Sequence, residues 1–583
     1  MLKMGNKKGV IIGGGVIVLV AVVAAVAVIS TQNGKKSSGS SDSGQLSSSV
    51  KSIKDFCQPT DYQKTCESAL QQAAVNVSSP TELAQAIFNV TSERIALALN
   101  KSATLTSLAN DPRTSGALEN CKELLQYAIE DIKTSFEKLG GFEMTNFQQA
   151  TKDLKTWLSA ALTYQDTCLE GFENTTGDAS QKMQESLQST KELTTNILAL
   201  VDEFSKQMAN LDLSFLDGNN NNNKRRLLEE GEAEISSGDI PSWLPESKRS
   251  LLATAPAKLK PNLTVAQDGS GDFKTIKEAL AKVPPSSAQN FVIYIKQGTY
   301  KEYISVGRTL TNVVMYGDGP TKTVISGNKN FMMKLTTKDT ATFEAIGNGF
   351  FARDLAIENT AGAQNHQAVA LRVQSDFSVF YNCQFNGYQD TLYTHANRQF
   401  YRECTISGTI DFIFGNAQVI FQNCLLLVRK PMDNQQNIVT AQGRGEPRSA
   451  GGTVIHNCTV SADASLKPVQ SKIQTYLGRP WREYSRTFYI QSQIDDVINP
   501  VGWLPWAGDF GINTCFYAEL ENRGAGSDTS KRATWKGVKK ITYADAQAFT
   551  VEHFIQGSQW IPKTGVTYIP GLLPQSEGSR IHK

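Results

Sequence analysis

Three hydrophobic patterns succeed one another along the chain. Val10 to Ile29 is an unbroken run of about 20 apolar or glycine residues between Lys3, Lys7, Lys8 and Lys35, Lys36. That length spans a bilayer as a helix, and its unbroken apolar core exceeds that of a cleavable signal peptide, so an uncleaved signal anchor is expected. Ser37 to Ser49 is a Ser/Gly-rich tether. From about residue 50 to 216 the period is helical: Leu125, Ile129, Ile132, Phe136 and Leu139 step by 4, 3, 4 and 3 ahead of Gly140-Gly141. Trp157, Ala161, Tyr164 and Cys168 repeat that step, as do Ile197, Val201, Phe204 and Met208. Ser79-Pro80-Thr81-Glu82 combines an N-cap, a first-turn proline and a capping-box glutamate. The expected element is an antiparallel four-helix bundle, which Cys57 with Cys66 and Cys121 with Cys168 could staple.

Residues 217–252 break the pattern with five asparagines (Asn219 to Asn223), Arg225-Arg226-Leu227-Leu228 and an acidic string, so a linker is expected there. The dibasic segment reads either as a processing site or as a solvated charge run. Beyond residue 260 short β-rich segments repeat. Those beginning at Phe377, Arg398, Gln418 and Gly452 align so that Cys383, Cys404, Cys424 and Cys458 share a column, and the segment from Phe351 is a copy without the cysteine. Spacings of 21 and 20 residues without intervening helices predict a right-handed parallel β-helix, with a β-sandwich as the alternative. Equivalent residues of successive coils lie about 4.8 Å apart. Cys404 and Cys424 are therefore expected to form a disulfide. Asp390 and Asp411, each seven residues after its cysteine, are expected to stack. Two carboxylates about 5 Å apart cannot both ionise freely, so one keeps its proton while a neighbouring cation holds the other charged.

The charge is uneven. Residues 1–252 carry 24 Lys and Arg against 30 Asp and Glu, and residues 253–583 carry 34 against 26. Basicity in the second half suits a polyanion, but no nucleic-acid motif accompanies it, and an acidic carbohydrate fits as well. Nine cysteines and six sequons (Asn76, Asn89, Asn100, Asn174, Asn262, Asn457) agree with export. No cysteine spacing matches a zinc site, and the chain has no Gly-x-Ser-x-Gly, His-Glu-x-x-His or P-loop. His366 is expected to have a structural hydrogen-bonding role.

The segments Gly347-Asn348-Gly349-Phe350, Gln367-Ala368-Val369-Ala370-Leu371-Arg372, Gly387 to Tyr393, Asp411 to Gly415 and Leu477-Gly478-Arg479-Pro480-Trp481 together resemble those of plant pectin methylesterases that carry an inhibitor-like pro-region. The nine-residue spacing of Cys57 and Cys66 is similar to that of the inhibitor-like domain. The residue pattern gives a cytoplasmic tail (1–9), an anchor (10–29) and a tether (30–49), and after them the resemblance implies an inhibitor-like four-helix pro-domain (50–216), a linker with a dibasic processing site (217–252) and a β-helical esterase (253–583). It implies a monomeric, metal-free and cofactor-free aspartyl esterase, acting on methyl-esterified pectin in the cell wall. Asp411 would be the nucleophile, Asp390 the proton donor and then base, Gln389 and Gln367 the oxyanion donors, and Arg479 the cation that orients the nucleophile. Thr337, Gln367, Arg479 and Trp481 would contact substrate, with Trp503 and Tyr393 as further aromatic candidates. A proteinaceous inhibitor, a processing protease acting at Arg225-Arg226-Leu227-Leu228 and, before processing, a membrane are the other implied partners. Two rival readings stay open on the residues alone: another pectin-active β-helix enzyme, a polygalacturonase or lyase, and a non-catalytic pectin-binding or inhibitor protein.

Overall fold

The computed structural model describes residues 44–210, apart from 74–78, 108, 110 and 142–146, and residues 260–575. The expected anchor and the linker with Arg225, Arg226, Leu227 and Leu228 lie outside these. Among the described residues no helix is long and apolar enough to cross a membrane. They divide into two units, one helical and one built of β-coils.

In the helical unit, Pro80–Thr106, Pro112–Gly141, Phe147–Glu170 and Ala179–Asn210 pack in a closed ring, each on the next and the last on the first. Two shorter helices, Gly44–Cys57 and Gln63–Ala73, precede them. The predicted cap is present: the Glu82 backbone N–H donates to Ser79 Oγ at 3.3 Å and the hydroxyl donates to the Glu82 carboxylate at 2.7 Å. Leu125, Ile132, Ala161, Tyr164 and Ile197 are fully buried, as their spacing predicts. A buried polar group fixes the register of the last two helices, with Thr190 donating to Gln165 Oε1 at 2.7 Å and Gln165 Nε2 donating to Thr194 at 3.1 Å. Disulfides join Cys57 to Cys66 and Cys121 to Cys168.

In the second unit three sheets of 11, 7 and 8 strands run the length of a β-helix, and successive coils contribute successive strands to each sheet. Neighbouring strands are parallel, for instance Ser378–Tyr381 beside Arg398–Arg402 and Arg398–Arg402 beside Gln418–Gln422. A sandwich, whose sheets are antiparallel, is thereby excluded. Apolar side chains from all three sheets fill the interior, where Phe380, Tyr401 and Phe421 stack at 4.8 and 4.6 Å. The helix Ile276–Leu280 closes one end with Ile276, Ala279 and Leu280 in the same core. The outer face of the longest sheet is also apolar, and C-terminal residues including Val551, Phe554 and Trp560 cover it.

One corner repeats in seven successive coils. Asp354, Asn382, Glu403, Asn423, Asn457, Gln491 and Glu521 all have φ between 49° and 56°, each just after its strand of the longest sheet. This left-handed residue turns the chain sharply into the next sheet, and Asn or Asp suits it because a short polar side chain tolerates that conformation.

The cysteine column forms, but not the disulfide. Cys383, Cys404, Cys424 and Cys458 are buried free thiols, so the expected Cys404–Cys424 bond is corrected. In-register parallel strands hold equivalent Cβ atoms near the strand spacing of about 4.8 Å, whereas a disulfide draws them to about 3.8 Å. Each thiol instead donates to a carbonyl of the preceding coil: Cys383 to Ala352, Cys404 to Phe380, Cys424 to Tyr401 and Cys458 to Phe421, at 3.6, 3.4, 3.5 and 3.3 Å. Burial pushes the Cys404 and Cys458 thiols well up.

Candidate active site

The coil register brings the two aspartates together. Leu392 pairs with Ile413, so Asp390 and Asp411, each two residues before its strand, occupy equivalent positions of adjacent coils. Both have positive φ, 64° and 50°. Two adjacent left-handed aspartates mark a turn whose backbone conformation is held by its surroundings. The Asp390 N–H donates to the Ile410 carbonyl at 3.0 Å, which locks one turn onto the next.

Arg479 arrives from two coils further on, directly after the strand Thr475–Gly478, where its N–H donates to the Thr440 carbonyl at 3.0 Å. Its guanidinium grips Asp411 in a bidentate pair, with Nε 2.8 Å from Oδ1 and Nη2 on Oδ2. Burial pushes the Asp411 carboxyl up and the cation draws it back, leaving it above the usual carboxylate range. Burial opposes the charge on Arg479, but Asp411, reinforced by Asp390, holds that guanidinium more firmly protonated than usual. Stacking completes the setting, for the guanidinium lies 4.2 Å from the Trp506 ring centre.

The two glutamines sit beside this pair. Gln389 immediately precedes Asp390, and its carbonyl accepts the Ala368 N–H at 3.2 Å. Gln367, the residue before Ala368, accepts the Phe331 N–H on its own carbonyl at 2.9 Å. Both side chains are half-buried. The backbone thus fixes both glutamines, neither of which is fully buried. Thr337 begins the short turn Lys338–Thr340 and accepts the Thr340 hydroxyl on its carbonyl at 2.6 Å. The Val369 N–H then donates to that same hydroxyl at 3.0 Å, which ties the Thr337 turn to the Gln367 segment.

An aromatic group forms the remaining wall. Tyr393 and Phe414, in register on adjacent strands, stack at 4.3 Å, and half-exposed Trp481 meets both edge-on at 6.4 and 5.8 Å. Gly443 is obligatory for this arrangement, because a Cβ there would lie 2.7 Å from the Trp481 ring. Trp503, expected as a sugar contact, belongs instead to the interior: it is fully buried and stacks on Tyr517 at 4.3 Å. Trp506, three residues later, is the tryptophan that reaches the ion pair, and the missed signal was the doublet Trp503-Leu504-Pro505-Trp506. His366 closes a turn through its backbone N–H, which donates to Ala363 at 3.4 Å, and sets its ring edge-on to Phe331. Among the described residues no group of three His, Cys, Asp or Glu is placed to share a cation.

A buried carboxylate gripped by a guanidinium, with a second carboxyl one rung away and two glutamines on the neighbouring backbone, can support attack on an acyl carbon and protonation of its leaving group. Comparison with known proteins places the chain in a family. The pectinesterase family profile matches residues 262–558, and that of the plant invertase/pectin methylesterase inhibitor family matches residues 51–200. Probable pectinesterase/pectinesterase inhibitor 21 of Arabidopsis thaliana is 48% identical over 91% of this chain and 77% of its own length. Pectinesterase 3 of Citrus sinensis is 40% identical over 89% of this chain and 88% of its own. Among solved structures, the pectin methylesterase from carrot superposes with a TM-score of 0.54 at 50% identity, covering 55% of this chain and all of that one. The chain therefore belongs to the pectinesterase family, with an N-terminal domain of the invertase/pectin methylesterase inhibitor family.

Proposed function

We propose that the chain hydrolyses methyl esters of galacturonate units in pectin, releasing methanol and leaving de-esterified polymer, through a covalent intermediate on Asp411. The observation that carries this reading is the bidentate Arg479–Asp411 pair one coil below Asp390. An Asp411 oxygen attacks the ester carbonyl carbon while the Gln367 and Gln389 amides donate to the developing oxyanion. As the carbon–methoxy bond breaks, Asp390 gives its proton to the departing oxygen, forming methanol and a mixed anhydride on Asp411. Asp390, now ionised, takes a proton from water. The hydroxide attacks the anhydride, regenerates the Asp411 carboxylate and frees the galacturonate, so Asp390 serves as acid and then as base. Trp481 and Thr337 line the path of the sugar.

The rival glycosidase reading also uses paired carboxylates, but an inverting pair stands about 6.5–9.5 Å apart, wider than adjacent coils allow. A retaining pair is closer, so product length decides between the readings: ester hydrolysis leaves the polymer uncut.

The N-terminal domain is proposed to silence the esterase until the linker is cut after Arg225-Arg226-Leu227-Leu228. A tethered domain acts at an effective concentration that reaches about millimolar for a suitable linker, so modest affinity suffices. In this reading residues 10–29 hold the precursor in the membrane of the secretory pathway and the cut esterase acts in the apoplast. The reading predicts methanol release from esterified pectin by linker-cleaved protein and little from the uncut chain. Equal activity of the two would remove the silencing role, and absence of methanol from both would remove the esterase reading.

A further inference from the structure

A groove of 420 Å³ opens on the outward face of the eight-stranded sheet, and none of Asp390, Asp411, Gln367, Gln389, Arg479 or Trp481 lines it. Three coils build its floor in register. Gln384 pairs with Thr405, and Asn386 stands between Glu358 and Ser407, giving two adjacent columns of polar side chains where an outward strand position could carry any residue. These groups are scarcely used by the protein. Ser407 Oγ donates to Asn386 Oδ1 at 2.9 Å, but among the described residues the Gln384 amide, the Thr405 hydroxyl and the Asn386 amide nitrogen bond to no protein group.

The rim is rigid and belongs to the catalytic turn. Arg429 lies over the Tyr388 ring at 4.0 Å, donates to its hydroxyl at 3.0 Å and donates to the Gly387 carbonyl at 2.9 Å. The Tyr388 carbonyl in turn accepts the Thr409 N–H at 2.9 Å and the Thr391 hydroxyl at 3.1 Å, so one short turn presents Tyr388 to the groove and Gln389-Asp390 to the active site. The charge of the lining is two carboxylates, Glu358 and Asp463, against the single guanidinium of Arg429, which Tyr388 and Gly387 already engage. A polyanion gains nothing there. An uncharged polyhydroxylated chain, offering donors and acceptors to an uncharged amide and hydroxyl floor, fits both the chemistry and the shape.

We propose that this groove is a second, non-catalytic binding site for the methyl-esterified, uncharged stretch of the polymer whose esters are hydrolysed at Asp411. It discriminates against the anionic product through Glu358 and Asp463. The proposal rests on the esterase reading for the identity of the polymer, and a neutral glucan is the rival occupant of the same chemistry.

The test is hydrogen-exchange mass spectrometry on the full chain carrying Asp411→Asn, which blocks turnover, with three probes: methyl-esterified hexagalacturonide, its saponified form and cellohexaose. Slowed exchange in the segments 384–388 and 403–407 with the esterified probe, and not with the other two, is expected. The added double substitution Gln384→Ala/Thr405→Ala removes two donors without adding bulk. It should raise the concentration for half-protection of those segments about tenfold, the loss of roughly two modest hydrogen bonds. Thr405→Trp, which fills the groove, should abolish the protection. Absence of protection with the esterified probe, equal protection by the saponified one, or preference for cellohexaose would each overturn the proposal. Methanol release by the chain without Asp411→Asn is scored separately: protection without methanol from cut or uncut protein removes the esterase reading and leaves the groove in place.

Discussion

Asp411 is pulled in two directions, and the balance is testable. Burial favours its protonated form, while Arg479 favours the carboxylate that attacks in the proposed mechanism. In that mechanism only the ionised form is active, so kcat/KM is expected to fall as pH drops through an Asp411 value that lies above the ordinary carboxylate range. Arg479→Ala removes the opposing influence, so the acid limb of the profile moves to higher pH as the maximal rate falls. A limb that stays in place after this substitution detaches Arg479 from the nucleophile. Gln389→Ala should lower kcat by about 10²–10³-fold with a smaller change in KM, the signature of a lost oxyanion donor. In the proposed mechanism Trp506, whose ring lies under the Arg479 guanidinium, is a positioning residue that acts through Arg479. Trp506→Ala is expected to reduce kcat/KM by about 3–30-fold, the range of a partly buried cation–π contact, and Trp506→Phe should restore part of it.

The cysteine column shows what a repeat reveals at the scale of one element. Spacings of 20 and 21 residues locate the column and the stacked aspartates correctly, because strand register alone decides which residues lie side by side. Whether two stacked thiols bond depends on Cβ separation, a quantity that register does not carry. Thiol titration in denaturant without reductant should therefore find five free groups, Cys383, Cys404, Cys424, Cys458 and Cys515, and close to none in the native protein, where all five are buried. Three would restore the Cys404–Cys424 bond. The same distinction explains the tryptophans. The stacking of Asp390 on Asp411 was legible because their segments are short and adjacent strands fix their register. Trp503 and Trp506 lie in a loop, and only the path of that loop decides which ring enters the core and which reaches Arg479. In the helices, spacing alone identified the buried face, since one stripe must face the bundle interior.

At the scale of the whole β-unit, His456 links the coils to the C-terminal segment. Its Nδ1 lies 3.1 Å from Gln422 Nε2 and its Nε2 3.3 Å from Gln491 Oε1. Gln422 exchanges two hydrogen bonds with the backbone of Ile569, and Gln491 does so with Leu573. Burial, opposed by the bond to Gln491 and aided by Arg402, holds the imidazole down at about 4 from its ordinary 6.5. The unfolded chain binds the His456 proton below 6.5 and the folded chain only below about 4. Stability conferred by the neutral ring is therefore present above 6.5 and is lost as pH falls through that window, by about 3 kcal/mol. Denaturant midpoints at several pH values should show this decline, and His456→Gln should flatten it. An unchanged slope would place the acid sensitivity elsewhere.

The account turns on ester hydrolysis at Asp411, and one measurement tests it most directly: methanol release from highly esterified pectin by linker-cleaved protein, with product length followed in the same reaction, for the unsubstituted chain and for Asp411→Asn. The expected result is sustained methanol release without shortening of the polymer, reduced at least about 10³-fold by the substitution. Shortened polymer, or near-normal methanol release from correctly folded Asp411→Asn, would contradict it.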